Sequence, residues 1–208
     1  MSRCPRLEIN LSKIRHNTEV LANLCSKYDI DLAGVTKVFC GMPEVAKSMV
    51  EGGVKILADS RIENLKKLKD LNVPKLLLRL PMISQANEVV KHVDISLNSE
   101  LKTIERLSEE AIKINRVHDI ILMVDLGDLR EGVWVDDVTS TVEKISELNG
   151  VRLIGIGTNL TCYGGVIPNK DNLGQLVEIA ESISKKFDIK LQIISGGNSS
   201  SLYLVEKS

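Results

Sequence analysis

The chain has 208 residues, and its 27 Lys and Arg are balanced by 28 Asp and Glu that are interspersed with them along the sequence. A net charge of −1 and an aromatic content of 3% argue against the basic, base-stacking surface of a nucleic-acid-binding protein. No apolar run approaches the ~20 residues that a membrane helix needs, and residues 1–12 lack a signal-peptide hydrophobic region. The sequence therefore predicts a cytoplasmic protein that has no membrane partner.

The N-terminal residues alternate between short apolar segments and amphipathic ones. Residues 7–11 alternate polar with apolar side chains and predict a strand, and Ser12 is the expected cap of the helix that follows. Residues 31–38 predict the next strand. Pro43 is expected in the first turn of a helix that ends at the glycine pair 52–53.

The same alternation continues to the end of the chain. Further strands are predicted over residues 55–60, 75–81, 94–99, 119–127, 152–160 and 191–197, and helices over 61–71, 84–93, 100–116 (capped by Ser99), 137–148 and 173–187. Residues 199–208 begin another helix. Short apolar strands that alternate with amphipathic helices predict a parallel sheet with right-handed crossovers.

The regular βα units predict the α/β class and a (βα)8 TIM-type barrel. Seven strands are counted from residues 31–38 onward, which is one fewer than such a barrel contains. A doubly wound open sheet is the alternative, but no G-x-G-x-x-G follows the first strand. We therefore expect residues 1–208 to form one domain, the N-terminal portion of a barrel that lacks its last strand.

The cysteines do not indicate a metal site or a disulfide framework. They are scattered, with no C-x-x-C pair and no histidine cluster: Cys4, Cys25, Cys40 and Cys162. Reduced thiols and no bound metal are therefore the expectation.

Lys37 is the first candidate site residue, because it lies near the end of the first predicted barrel strand, in the segment LAGVTKVF. Functional groups of βα barrels lie at the carboxyl ends of the strands. Removing an ammonium from water favours its neutral, nucleophilic form. The alternative is an ordinary lysine that reaches solvent, and strand phase alone does not decide which way the side chain faces.

The segment SGGNSSS, residues 195–201, predicts an anion site because glycines allow close approach and the N–H and hydroxyl groups of a first helical turn can donate. Its alternative is a glycine turn followed by an ordinary helix cap. Arg130 offers a planar donor fork to a phenolate or carboxylate, or pairs with Asp125 or Asp128. Asn159 ends a strand, where it either faces the site or supplies turn geometry.

An amine, an arginine and an anion site on one rim match the aldehyde, phenolate and phosphate of pyridoxal 5'-phosphate. The segments PRLEINLSKIRHNTEVL, GVTKVFCG, VDLGDLREG, GIGTNLTCYGG and SGGNSSSLYL also occur in an order that resembles the alanine racemase family, and they span essentially the whole chain. GVTKVFCGMPEVA and LGDLREGVW are more similar to the ornithine and broad amino-acid racemase branch.

The resemblance implies an isomerase that interconverts the L and D forms of a small-molecule amino acid, such as ornithine or alanine, by two-base proton transfer. It implies that Lys37 holds the cofactor as an aldimine and is one of the two catalytic bases. Arg130 then contacts the phenolic oxygen, and Asn159 faces the ring. The residues that the resemblance assigns to the phosphate site are Gly197, Asn198 and Ser199.

This chain also departs from the family pattern. Family members continue into a last barrel strand and a C-terminal β domain, whose tyrosine is the second base and reaches across a homodimer. None of this lies within the 208 residues. We therefore expect a homodimer in the full-length protein and weak racemisation by this chain alone. Met123 stands where many members carry a lysine, so a carbamylated lysine cannot form there.

Two other functions suit the same residues. A non-catalytic pyridoxal phosphate-binding homeostasis protein has the barrel without a second domain, and the chain length favours it, although its Gly-Glu-Asn strand end is absent. An aldolase-like barrel would use Lys37 on a sugar phosphate, but such lysines commonly lie on later strands. Only position suggests Asp59, Glu63 and Asp128 as carboxylates for the far end of a diamino acid.

Overall fold

Strands and helices alternate along the chain, as the hydrophobic pattern predicts. The computed structural model describes residues 5–161 and 165–205. The strands are β1 (Ala33–Val35), β2 (Ile56–Asp59), β3 (Lys75–Leu77), β4 (Ile95–Asn98), β5 (His118–Asp125), β6 (Val133–Trp134), β7 (Val151–Gly157) and β8 (Ile193–Ser195). The α-helices are α1 (Leu11–Ser26), α2 (Pro43–Glu51), α3 (Ile62–Lys67), α4 (Ala86–His92), α5 (Leu101–Lys113), α6 (Val138–Ser146), α7 (Lys170–Phe187) and α8 (Leu202–Val205).

The strands form one curled parallel sheet in the order β1-β2-β3-β4-β5-β7-β8, and β6 pairs with β5 off this path. Seven strands on the main path are the number that the sequence predicts. Because all pairings are parallel, the carboxyl ends of the strands meet at one edge of the sheet. The predicted α/β fold, part of a βα barrel, is confirmed.

Neighbouring residues of a strand pack into different clusters, because successive side chains point to opposite faces. Leu77 packs with the helices in the larger, helix-facing cluster, whereas Leu76 packs on the other face. We call that second group the inner cluster, and its buried members are Ala58, Leu76, Ile95, Leu97, Ile121, Met123 and Ile154. The inner cluster fills the concave side of the sheet below the strand ends.

The strand predicted over residues 7–11 is wrong. Helix α1 begins at Leu11, and its N-cap is Asn10, whose side chain accepts a hydrogen bond from Lys13 N at 3.0 Å. Ser12 lies inside the helix. Leu7 is 86% exposed, so its side chain is not buried against the sheet. No strand among the described residues lies beside this segment, so its alternating side chains have no partner strand.

Several other elements are shorter than predicted. Helix α3 and strands β1 and β3 each end before the predicted boundary. Helix α5 follows Glu100 and has no side-chain cap, so Ser99 does not cap it. Strand β6 was not predicted, because two residues carry no periodic signal.

Part of the cysteine prediction concerns residues that the structure does not describe. Cys25 is a buried free thiol and Cys40 an exposed one. Cys4 and Cys162 lie outside the described residues, as do residues 163–164 and residues 206–208, the last of which were predicted to continue a helix. Over the ranges 5–161 and 165–205, no helix combines the length and apolar character needed to cross a membrane.

Candidate functional site

Lys37 lies just beyond the end of β1. Val35, the last residue of β1, is in register with Ala58 of the inner cluster, which places Val35 on the inner face of the sheet. Lys37 then begins a short 3-10 helix, Lys37–Phe39. Its side chain is exposed, and its ammonium has no hydrogen-bond or ion-pair partner in the part of the chain that is described. The side chain therefore reaches solvent, and the strand ends at Val35 rather than at Val38 as predicted.

A buried carboxylate anchors the backbone immediately before Lys37. Asp59, at the end of β2, is fully buried. Its Oδ2 accepts a hydrogen bond from Thr36 Oγ1 at 2.6 Å, and its Oδ1 accepts from Arg61 N at 2.9 Å and from Asn64 Nδ2 at 3.1 Å. We call these four residues the Asp59 network. Because these links join the residue after β1 and the start of α3 to the end of β2, the network fixes the position at which Lys37 leaves the sheet.

Helix α3 holds the turn that follows Lys37. Cys40 and Gly41 have φ angles of 53° and 63°. Lys67 Nζ donates to the carbonyl of Cys40 at 2.8 Å and to Asn64 Oδ1 at 3.2 Å. A Cβ on Gly41 would lie 2.8 Å from the carbonyl oxygen of Asn64. The turn therefore requires glycine at this position, both for its left-handed backbone and for the close approach of α3.

Arg130 and Asn159, predicted separately, are linked by a third residue. Glu131 Oε2 is 2.8 Å from Arg130 Nε, and its Oε1 accepts a hydrogen bond from Asn159 Nδ2. The side chain of Glu131 is only 14% exposed. The alternative pairing of Arg130 with Asp125 or Asp128 is wrong, and Glu131 is a residue of this cluster that the sequence analysis did not single out.

The two aspartates of this loop have other partners. Asp125 Oδ1 accepts hydrogen bonds from Gly127 N at 2.8 Å and from Leu129 N at 3.2 Å, which folds the loop back on the end of β5. Asp128 is 2% exposed, and its Oδ1 is 3.5 Å from Val166 N. Its Oδ2 has no hydrogen-bond partner among the described residues. Both carboxylates therefore shape the loop that presents Arg130.

The turn after β8 both caps a helix and leaves donors free. Asn198 is the N-cap of the 3-10 helix Ser199–Ser201: its Oδ1 accepts from Ser200 N at 2.8 Å, and its Nδ2 donates to the carbonyl of Leu160 at 2.8 Å. The backbone N–H groups of Gly197 and Ser199 have no hydrogen-bond partner in the described ranges. Such unpaired N–H groups in a glycine turn suit the oxygens of a phosphate.

The structure thus joins some of the predicted site residues through one intermediate residue and others only through the sheet. Glu131 links Arg130 to Asn159, and the bond to Leu160 ties Asn198 to the loop after β7. Lys37 makes no hydrogen bond or ion pair with these residues in the described part of the chain. A free amine, a guanidinium and unpaired N–H groups at one edge of the sheet are a donor set that suits an anionic cofactor with an aldehyde, such as pyridoxal phosphate.

Fold and site together define a βα-barrel domain with an accessible lysine after its first strand. Residues 9–208 match the family model described as "Alanine racemase, N-terminal domain". The chain belongs to this family, as the order of its motifs predicts.

Two curated relatives are similar over nearly the whole chain. Ornithine racemase of Acetoanaerobium sticklandii is 47% identical over 204 residues, which are 98% of this chain and 58% of that protein. Lysine racemase of Thermotoga maritima is 40% identical over 204 residues, 97% of this chain and 57% of that protein. This chain therefore spans somewhat more than half the length of these relatives.

A solved alanine racemase of Clostridium difficile 630 has a similar fold. Its TM-score is 0.78 at 22% identity, and the match covers 93% of this chain and 52% of that one. At this identity the similarity establishes the fold and leaves activity to be argued from the site.

Proposed function

We propose that this chain is the cofactor-binding barrel of a pyridoxal phosphate-dependent amino-acid racemase whose substrate is ornithine, lysine or a similar amino acid. The observation that carries the proposal is the exposed, unpartnered ammonium of Lys37 at the carboxyl end of β1. The names of the 47% and 40% identical relatives, ornithine racemase and lysine racemase, support this reaction and substrate class.

Each proposed role follows from a group that the fold leaves available. Lys37 supplies the amine that holds the cofactor and, once released, the base that moves the α-proton. Arg130 donates from its guanidinium to the phenolic oxygen, and Asn159 faces the ring. The unpaired N–H groups of Gly197 and Ser199 bind the phosphate, with Asn198 holding that turn in place. The cofactor, when bound, delocalises the charge left on the substrate.

Racemisation requires a proton donor or acceptor on each face of the substrate α-carbon. Lys37 serves one face. We propose that the other group is contributed by a partner subunit in a homodimer of the whole protein, so that this chain alone binds the cofactor and racemises slowly. Binding and turnover are therefore separate measurements.

The test is an absorption spectrum of the purified chain with and without added pyridoxal phosphate, followed by borohydride reduction and peptide mass mapping. We expect a visible absorbance band and a reduced adduct on Lys37. Lys37→Ala should abolish both. Lys55→Ala is the matched control, because Lys55 is also exposed but precedes β2 at the opposite edge of the sheet.

Three results would contradict the proposal. The first is a Lys37→Ala protein that retains the band. The second is an adduct on another lysine of the wild-type chain. The third is borohydride trapping of a carbonyl substrate without any added cofactor, which would favour the aldolase-like alternative.

A further inference from the structure

Glu131 uses both oxygens of its carboxylate to hold side chains from two different loops. Oε2 pairs with Nε of Arg130 at 2.8 Å, in the loop after β5, and Oε1 accepts from Nδ2 of Asn159, just after β7. At 14% exposure this carboxylate is much less accessible than the Arg130 side chain, which is 39% exposed. Low exposure, one ion pair and one charge-assisted hydrogen bond make it the central group of the cluster.

These two interactions determine which atoms remain for a ligand. Glu131 forms its ion pair at Nε of Arg130, and the two terminal nitrogens of the guanidinium have no hydrogen-bond or ion-pair partner among the described residues. A carboxylate only accepts hydrogen bonds, so it must face the amide nitrogen of Asn159 and leaves Oδ1 unpaired. The cluster therefore presents a planar pair of donors and one acceptor.

The backbone around Glu131 is also held firmly. Gly132, the next residue, has a φ of 135°, and a Cβ there would lie 2.3 Å from Asp125 N. The following two residues pair with the end of β5, Val124 with Val133 and Asp125 with Trp134. The Glu131 side chain therefore extends from a constrained backbone position, which helps it to position Arg130 and Asn159.

We propose that Glu131 is a positioning residue that orients Arg130 and Asn159 as one unit and sets the net charge that this unit presents to the bound cofactor. This inference rests on the proposed function and adds a residue to it. Without the carboxylate, the guanidinium is free to change rotamer and the amide is free to turn over. An uncompensated positive charge then faces the cofactor.

Glu131→Gln is the sharpest substitution, because it preserves size and removes only the charge and one acceptor. With its amide oxygen toward Arg130 Nε, its NH2 opposes the NH2 of Asn159, and the amide of Asn159 must turn over to restore a hydrogen bond. In the other orientation its NH2 opposes Arg130 Nε, so either way one of the two contacts is lost. Glu110→Gln is the matched control. Glu110 is 12% exposed and lies 2.6 Å from Arg106 Nη2, and both belong to helix α5.

Two measurements on the 208-residue chain test the proposal. The first is titration with pyridoxal phosphate, in which Glu131→Gln should bind about tenfold more weakly, the effect of losing one hydrogen bond to a charged group. The second is the pH midpoint of the bound cofactor's visible absorbance. Loss of a nearby negative charge disfavours the protonated chromophore, so the midpoint should fall by on the order of one pH unit. A merely structural role would not shift this midpoint.

The outcomes separate this inference from the proposed function. The inference and the proposed function are both supported if the wild type binds pyridoxal phosphate, Glu131→Gln shows weaker binding and a lower pH midpoint, and Glu110→Gln shows neither change. Wild-type binding with an unchanged affinity and midpoint in Glu131→Gln overturns the positioning role and leaves the proposed function standing. A wild-type chain that binds no pyridoxal phosphate contradicts the proposed function, and with it the inference.

Discussion

Replacing Asp59 with alanine tests whether the buried network before Lys37 holds the site. The carboxylate accepts three hydrogen bonds, and Asp59, Thr36 and Asn64 are at most 6% exposed. Thr36 Oγ1 has a second acceptor, the carbonyl of Ala58 at 3.3 Å. The donors that lose their acceptor in Asp59→Ala are therefore mainly Asn64 Nδ2 and Arg61 N. At roughly 1–3 kcal/mol for the buried Asn64 donor left unpaired and less for the part-buried Arg61 N, we expect Asp59→Ala to lower the free energy of unfolding by about 3 kcal/mol.

Asp59→Asn is the control for this substitution. The amide oxygen can still accept from Arg61 N and Asn64 Nδ2, and the new NH2 can donate to Thr36 Oγ1, whose hydroxyl then donates to the carbonyl of Ala58. All hydrogen bonds are thereby kept, and the expected loss is about 1 kcal/mol or less.

The assay is urea unfolding of the wild type and both variants, combined with the yield of the Lys37 adduct under conditions where each protein is folded. We expect Asp59→Ala to reduce the adduct yield as well as the stability, because Thr36 directly precedes Lys37. An Asp59→Ala protein that unfolds within about 1 kcal/mol of the wild type would refute the argument, since the three bonds would then have no net effect.

Two further predictions concern a turn and a buried histidine. Gly41→Ala should lower the free energy of unfolding by more than about 1 kcal/mol and weaken cofactor binding, because φ is 63° and the new Cβ meets Asn64 at 2.8 Å; equal urea midpoints would contradict this. Burial lowers the pKa of His118 from 6.5 to about 4. The unfolded chain therefore takes up the proton first, and stability should fall by about 2 kcal/mol from pH 8 to pH 5. His118→Gln, which can keep the hydrogen bond to Ser96, should reduce that dependence; an unchanged dependence would show that other groups cause it.

Much of the fold follows from local patterns. Strand and helix periods, a proline at the start of α2 and a glycine pair at its end act within a few residues, so their order was predicted correctly. The errors arise where an element depends on contacts with distant segments. Residues 7–11 alternate like a strand, but a strand requires a neighbour to pair with, and none of the described strands lies beside them.

The candidate site also contains residues that local position predicts and one that depends on a long-range contact. Lys37, Arg130, Asn159 and residues 197–199 were predicted from position alone, because a parallel βα fold places the residues that follow each strand at one edge. Glu131 was missed because its role depends on a contact with Asn159, 28 positions away. Nothing in the segment around it distinguishes a central carboxylate from an exposed one.

The sequence by itself determined the order of the βα units and the family, because these depend on periodicity and motifs along the chain. Only the tertiary structure decided that Lys37 is exposed in a turn, that Asp59 anchors that turn from β2, and that Glu131 joins two loops. Those properties depend on burial and on hydrogen bonds between distant segments, which form only when the sheet brings the strand ends together.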